Sequence, residues 1–497
     1  MTDSPLHSGI GQRAAWTEAA RRSDAGVLRA IVVGFGFAWA IAFVVVGLAF
    51  ALQLYGDGAM FSYSGAAQDA WAFHWHNISG RVTVFLLTLL PAEIYVGLTG
   101  DPGGGIGVYG FLFFVAPLSG LVATLAADRS RGRMIFGYAC FSTACLCPLV
   151  FGFPTEMWIA HALFWPALAL AYGARRGAGA VALLFALLLM LVLTHEGALV
   201  LAAAIPAALA LRGLRDMRFL RAVGALLAAA AVWAAVKLLI PPDAYFAGVL
   251  ARAARDFFDR EVFSGELVIL LAATLAGYCA VYYVTARFAP AKAPVCAAVA
   301  VAAALAVYWI FADQALHAAD RYYLRTLLVI VTPVLGVLAC VHTLIAGGEP
   351  MLPLPGLARM VTLLSCRAAA RAVAGAFVLV MLVHAVETAK FVTAWAQYKA
   401  AVVALATGAA SDPALGNPRF VSSARIGAAL NRLSWYSTTP YLSAILADFA
   451  PSRLVIDPRR YNYFWLSCAT ATANLNAGRA IPPETRRLVR DFSCLHR

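Results

Sequence analysis

The sequence predicts an all-α polytopic membrane protein with about 11–12 transmembrane helices. Of its 497 residues, 62% are hydrophobic and 13% are charged, against roughly 25% charged in a soluble domain. A soluble fold needs a polar surface and cannot hide this much apolar side chain. In addition, the apolar residues fall into runs close to the length of about 20 residues that crosses a bilayer as a helix.

The apolar runs divide the chain into candidate spans and short connections. We place the spans at 29–52, 82–98, 106–126, 134–153, 157–173, 178–194, 197–211, 221–240, 265–286, 294–312, 326–347 and 371–389. These make a transmembrane helical domain at 29–389. Residues 1–28 are polar, so the first span is predicted to stay in the chain as a signal anchor.

The basic residues predict the orientation, because short cytoplasmic connections are rich in Lys and Arg. The basic segments are 1–28, 127–133, 174–177, 212–221, 287–293 and 348–371. The N-terminal segment is therefore predicted to be cytoplasmic, and the polar tail at 390–497 extracytoplasmic. The Ala- and Arg-rich usage indicates a bacterium, and hence its cytoplasmic (inner) membrane.

The first three spans conflict with this orientation. If 29–52, 82–98 and 106–126 all cross, the basic connection at 127–133 falls on the outer side. Segment 82–98 is short and carries Pro91 and Glu93, so we interpret it as interfacial or re-entrant. The alternative is that the positive-inside rule fails here.

The net charge and the cysteines have simple interpretations. The formal net charge is +13, but the basic residues lie between apolar runs, which excludes nucleic acid as the partner. Seven of the nine cysteines lie in or beside apolar runs and are expected to pack as small apolar groups. Cys468 and Cys494 lie in the tail, where they could form a disulfide outside the cytoplasm.

The tail is predicted to form a small extracytoplasmic C-terminal domain. It combines helix-like stretches such as 391–407 with an apolar run at 453–456 between Pro451 and Pro458. This pattern is typical of a small α/β or irregular domain.

Asp57 is the principal candidate for chemistry. It follows the first span, between Gly56 and Gly58, in the outer loop at 53–81. A carboxylate at the membrane surface can act as a general base, or it can hold a divalent cation such as Mg²⁺ or Mn²⁺ on a phosphate. The alternative is that Asp57 only ends the first helix in a glycine turn.

Other polar residues gather at the predicted outer ends of the spans, where they are candidates for substrate binding. Adjacent ionisable groups beside apolar helices can shift one another's pKa and transfer protons; the alternative is a polar helix end among headgroups. The candidates are His74, His76, Arg81, Glu156, His195 and Glu196. His74 and His76 do not share a helix face, so a metal site from these two alone is not expected.

Residues Asp320, Arg321, Tyr322 and Arg325 open another span from the outside. Arg321 and Arg325 are four residues apart and share a helix face. Two guanidinium groups on one face suit a phosphate or diphosphate. The alternative is that they snorkel to lipid phosphates.

This layout resembles the polytopic C-fold glycosyltransferases (GT-C), which take a sugar from a polyprenyl-phosphate carrier. Asp57, in Tyr-Gly-Asp-Gly, occupies the place of that family's acidic residue in the first outer loop. Arg321 and Arg325 match its basic residues in later outer loops, and the tail from 390 matches its extracytoplasmic domain. The stretch 433–443, Leu-Ser-Trp-Tyr-Ser-Thr-Thr-Pro-Tyr-Leu-Ser, looks like the tails of such proteins. The family often has an acidic pair, whereas Asp57 stands alone.

The resemblance implies sugar transfer from a polyprenyl-phosphate-sugar donor to a glycan or lipid acceptor. Asp57 would be the general base, and Arg321 and Arg325 would stabilise the leaving phosphate. Two other classes remain open. One is a transporter or flippase for a lipid-linked substrate, although the spans are almost free of charged residues and their main deep candidate, His161, is expected to make an interhelical hydrogen bond. The other is a non-enzymatic membrane scaffold.

Overall fold

A computed structural model describes most of the chain. The described residues are 6–67, 81–147, 155–173, 177–241, 248, 251, 255, 266–313, 323–352, 355–364, 366–408, 412, 420–435, 438–449 and 453–457. Among the predicted site residues, His74, His76, Asp320, Arg321 and Tyr322 lie outside this set, as do Cys468 and Cys494.

The described chain is almost entirely helical. Its helices are α1 (Leu6–Ala49), α2 (Asp57–Ala67), α3 (Val82–Thr99), α4 (Pro102–Phe114), α5 (Ala116–Ala127), α6 (Met134–Leu146), α7 (Glu156–Gly173), α8 (Ala178–Val192), α9 (Ala198–Ala210), α10 (Met217–Leu239), α11 (Glu266–Phe288), α12 (Ala293–Phe311), α13 (Tyr323–Gly347), α14 (Pro355–Leu364), α15 (Arg367–Thr407), α16 (Ala428–Asn431) and α17 (Thr439–Leu446). Two strands, β1 (Phe420–Ser422) and β2 (Leu454–Ile456), pair in parallel.

The apolar helices confirm a polytopic membrane protein, with fewer full-length spans than predicted. Among the described residues, seven helices are long and apolar enough to cross a membrane, or up to eight if the bent pair α4–α5 counts as one. Helices α8 and α9 are apolar but have only 15 and 13 residues. At 1.5 Å per residue, neither reaches across a hydrocarbon core of about 30 Å.

Large apolar side chains cover the outside of the bundle. Leu238, Phe288 and Phe311 are each at least 80% exposed, and many other exposed side chains are apolar as well. A soluble monomer rarely exposes such a surface in one piece. These side chains suit contact with lipid.

One end of the bundle gathers basic segments, and we call it the Arg29 end. Gly132 lies beside the Arg29 guanidinium, and Arg131 donates to the carbonyl of Ala346 at 3.1 Å. At this end Arg212 also forms an ion pair with Glu349. The connections after α5, α9 and α13 therefore meet at one end, as their shared basic character predicted.

The opposite end carries Asp57, and we call it the Asp57 end. Helix α1 runs from the Arg29 end to the Asp57 end, and α4 returns beside it: Gly110 lies against Gln53, and Phe114 lies against Gly47. Helix α5 continues to the Arg29 end, bent by 42° from α4. Pro117, in the first turn of α5, lacks the N–H for an unbroken helix, which accounts for the bend.

Helix α3 begins and ends at the Asp57 end. Near its start, the backbone N–H of Thr83 donates to the carbonyl of Leu193 at 3.1 Å. At its other end, Tyr95 and Val96 pack beside Gly104 and Gly105, and α4 enters the bundle from there. Helix α3 has the length and apolarity of a span, so the interfacial or re-entrant interpretation stays a prediction. A π-helical turn at Phe85–Leu89 widens α3 just before Pro91, where no N–H is available.

The described residues do not support a separate C-terminal domain that begins at 390. Helix α15 passes through residue 390 without a break and continues to Thr407. Helix α17 packs on α2 and α15, and strand β2 packs on α15. Buried residues of these elements, such as Tyr441 and Val455, belong to the same hydrophobic core as the bundle. The part of the tail after residue 457 lies outside the described residues.

Candidate functional site

The turn before Asp57 is held by the extension of α15. After Ala49 ends α1, Ala51 and Gly56 adopt left-handed backbone angles, with φ of 51° and 61°. The backbone carbonyl oxygen of Phe50 accepts hydrogen bonds from Lys399 Nζ at 2.6 Å and from Trp395 Nε1 at 3.1 Å. These hydrogen bonds satisfy a backbone carbonyl at the C-terminal end of α1. The lysine also places a positive charge at this end, which the dipole of the helix favours.

Asp57 is the first residue of α2 and is partly exposed. Gly56 supplies the left-handed turn, and Asp57 begins a new helix rather than ending α1. A carboxylate in the first turn is favoured by the helix dipole. The same position leaves the side chain at the rim of the bundle.

Arg81 lies at the centre of the charged residues at this end. It precedes α3, whose first turn is fixed to α8 by the Thr83 hydroxyl, which donates to the carbonyl of Met190 at 2.7 Å. Arg81 Nη1 donates to Glu156 Oε1 at 2.6 Å. The Arg81 and Glu156 side chains are 19% and 6% exposed, so this ion pair is largely shielded from water.

Glu196 lies in the turn between α8 and α9 and pairs with a lysine from α10. Lys237 Nζ donates to Glu196 Oε1 at 3.1 Å. The neighbouring His195 accepts the backbone N–H of Gly197 on Nδ1 at 3.0 Å, so the proton of a neutral His195 ring lies on Nε2.

The electrostatics join these groups into one cluster, which we call the outer cluster: Asp57, Arg81, Glu156, His195, Glu196 and Lys237. Burial alone would lower the pKa of Arg81, but the charges of Glu156, Glu196 and Asp57 raise it above its ordinary value. Burial would raise the pKa of Glu196, but the charges of Arg81, His195 and Lys237 lower it to about 2. The described cluster thus holds three carboxylates and two permanent cations.

The structure brings together five of the predicted site residues: Asp57, Arg81, Glu156, His195 and Glu196. A second group of predicted site residues was Asp320, Arg321, Tyr322 and Arg325. Of these, only the backbone of Arg325 is described, and it lies in the first turn of α13. That turn is at the Asp57 end, because Val329 of the same helix packs against Gly197. The remaining predicted residues lie outside the described part of the chain.

A second charged group at this end was missed by the sequence analysis. Lys390 Nζ lies 3.0 Å from Asp313 Oδ2 and 3.2 Å from Glu387 Oε1. Trp309 Nε1 donates to Glu387 at 2.9 Å. The available signal was Glu387 near the end of the predicted span 371–389, followed three residues later by Lys390, on the same helix face.

The outer cluster can hold an anionic or hydroxyl-bearing ligand and accept a proton. The cations can bind a phosphate, and a carboxylate at the rim can take a proton from a hydroxyl. Among the described residues, no group of three His, Cys, Asp or Glu side chains is arranged to hold a metal ion.

No protein-family model, no curated protein and no solved structure matches this chain.

Proposed function

We propose that this protein transfers a sugar from a polyprenyl-phosphate carrier to a glycan or lipid acceptor at the outer cluster, with Asp57 as the general base. The observation that carries the proposal is that a partly exposed carboxylate shares a cluster with a largely shielded arginine. In the orientation that we propose for the protein in the membrane, the Arg29 end faces the cytoplasm of a bacterium, because the short basic connections gather there.

Exposure and acidity favour Asp57 over the other two carboxylates as the base. Glu156 is buried and held by Arg81 at 2.6 Å. Glu196 is held by Lys237, and its pKa of about 2 makes it a weak acceptor for a hydroxyl proton near neutral pH. Asp57 lies at the rim, where an acceptor can reach it from outside.

The proposed reaction is a single displacement. The acceptor oxygen bonds to the anomeric carbon while Asp57 takes its proton, and the bond to the carrier phosphate breaks with its electron pair on the phosphate oxygen. Arg81, with Arg321 and Arg325 from the segment before and into α13, would stabilise the negative charge that develops there. One displacement inverts the anomeric centre.

The experiment is sugar transfer by the purified full chain with a panel of polyprenyl-phosphate sugars. Asp57→Asn should lower transfer at least about a hundredfold, which corresponds to about 2.7 kcal/mol of transition-state stabilisation. The matched control is Asp101→Asn. Asp101 is exposed and accepts the N–H of Gly104 at 3.0 Å, a role that Asn can keep, so this variant should retain wild-type transfer.

Two other results would redirect the proposal. If wild type transfers sugar and Asp57→Asn does so equally well, the base is a different group. If the folded protein transfers no sugar from any donor, the second candidate function, a lipid-linked substrate transporter or flippase, takes precedence. It is favoured by the buried contact of Lys390 with Asp313 and Glu387, since charges beside a span are typical of transport paths.

A further inference from the structure

A groove opens on the side of the bundle near the Arg29 end, away from the outer cluster. It has a volume of about 340 Å³ and lies between helices α5, α7 and α8. Its walls are mainly apolar and include Ala123, Ala127, Pro166, Leu170 and Leu183. The volume lies within the roughly 300–1,000 Å³ of ordinary ligand sites.

The groove faces the lipid rather than the interior of the bundle. Ala123 and Ala126 are exposed, and Leu183 is 52% exposed. Small residues line the groove on two helices: alanines on α5 and Gly173 at the end of α7. Larger side chains at these positions would fill the space. An apolar chain in the bilayer can therefore enter from the side.

Among the described residues, the charged side chain that lines the groove is that of Arg129. It lies two residues beyond the end of α5, and its stem runs past Gly173 at the end of α7. Arg129 is exposed. This position is at the level of the headgroups, where a lipid phosphate would lie.

The nearest acid in sequence does not neutralise Arg129. Asp128 is buried, and its two carboxylate oxygens accept the N–H groups of Ser130 and Phe136, both at 2.8 Å. Within the described ranges, no carboxylate forms an ion pair with Arg129. The positive charge is therefore available to a ligand anion.

We propose that this groove binds one acyl chain of an anionic phospholipid, with the lipid phosphate on Arg129. The apolar walls fit the chain, and Arg129 at the mouth fits the headgroup. This site lies at the opposite end of the molecule from the outer cluster, so it is independent of the proposed sugar transfer.

The experiment measures lipid binding to the purified full chain by native mass spectrometry. The probes are dimyristoyl phosphatidylglycerol and dimyristoyl phosphatidylcholine, which share chains and differ in net charge. Wild type should show a saturable first site that binds the anionic lipid about fivefold more tightly, the effect expected of one interfacial arginine. Arg129→Gln should abolish this preference, whereas Arg133→Gln, an exposed arginine of the same segment outside the groove, should keep it.

A second pair of variants tests the groove itself. Ala123→Phe should block the site for both lipids, and Val122→Phe, at the neighbouring exposed position of α5, should not. If Ala123→Phe lowers the unfolding temperature, Arg129→Gln decides alone, because that side chain is exposed. The proposal is overturned if the two members of either variant pair have equal effects, or if wild type shows no saturable lipid site. It is also overturned if the protein forms dimers that the groove variants abolish, because the groove is then an interface between two copies of the chain.

Discussion

At the scale of single residues, the carboxylates of the outer cluster occupy different positions. Glu156 and Glu196 are each held by a cation from another helix, Arg81 and Lys237. Such pairs are worth little for stability by themselves, but removing one partner leaves a shielded charge uncompensated. Asp57 begins a helix at the rim, where the helix dipole favours its charge.

We predict that Glu196 makes the stability of the fold depend on pH. Its pKa is lowered from an ordinary 4.5 to about 2 by Arg81, His195 and Lys237 against the opposing effect of burial. A depressed folded-state pKa contributes stability that is complete above pH 4.5 and is lost as the pH falls toward 2. Glu196→Gln should therefore unfold at a lower temperature than wild type at pH 7, by an amount equivalent to about 3 kcal/mol.

The measurement is thermal unfolding of both proteins in detergent between pH 7 and pH 3. The gap between wild type and Glu196→Gln should narrow below pH 4.5, because Glu196 of the unfolded chain then takes up a proton while Glu196 of the folded protein stays ionised. A gap that stays constant over this range would contradict the assignment of the stabilising charge to Glu196.

His161 illustrates how a buried polar residue can be structural. It lies on α7, and its Nε2 is 2.7 Å from the Ser142 hydroxyl of α6 and accepts Trp165 Nε1 at 3.1 Å. This is the interhelical hydrogen bond that the sequence analysis expected for a lone histidine in a span. Such bonds hold helices together where lipid offers no other partner.

At the scale of elements, small residues set how closely the helices approach. A Cβ added to Gly120 of α5 would lie 2.7 Å from backbone atoms of Ala162 on α7. In a bilayer, helices associate mainly through such close packing, because lipid is as apolar as their side chains. These two helices run in the same direction, toward the Arg29 end.

We predict that Gly120→Ala separates α5 from α7 and destabilises the protein. Overpacking of this kind costs about 1–3 kcal/mol. The matched control is Gly137→Ala on α6, where an added Cβ meets nothing within 4 Å and alanine favours the helix. Unfolding temperatures in detergent should fall for Gly120→Ala only; an equal response of the two variants would argue against close packing at Gly120.

At the scale of the whole molecule, the two ends of the bundle differ in character. The Arg29 end holds the basic connections and the Arg212–Glu349 ion pair, and the Asp57 end holds the outer cluster. Helix α3 determines how the first part of the chain fits this division, because both of its ends lie at the Asp57 end.

We predict that Thr99→Cys and Cys366 are labelled from opposite sides of the membrane. Thr99 is exposed at the end of α3, and the exposed Cys366 precedes α15 at the Arg29 end. The measurement is modification by a membrane-impermeant thiol reagent in cells and in inverted vesicles, with each cysteine alone in a background that lacks the other cysteines. If α3 crossed the membrane, both would be labelled from the same side.

The chain's own residues determined its class and the positions of its helices. Long apolar runs require lipid as a solvent, and in lipid the backbone must satisfy its hydrogen bonds within a helix. Each predicted span therefore coincides with a helix, or with the pair α4–α5. The basic connections also predicted their common end, because they are local features of sequence.

Only the tertiary structure decided which polar residues meet. Arg81, Glu156 and Glu196 are separated by 75 and 40 residues along the chain and come together because α3, α7 and α9 begin at the same end. The contact of Glu387 and Lys390 with Asp313, and the continuation of α15 past residue 390, are likewise invisible to periodicity. Apolar patterns specify that a helix is buried, whereas contacts between distant helices depend on the side-chain shapes that pack them.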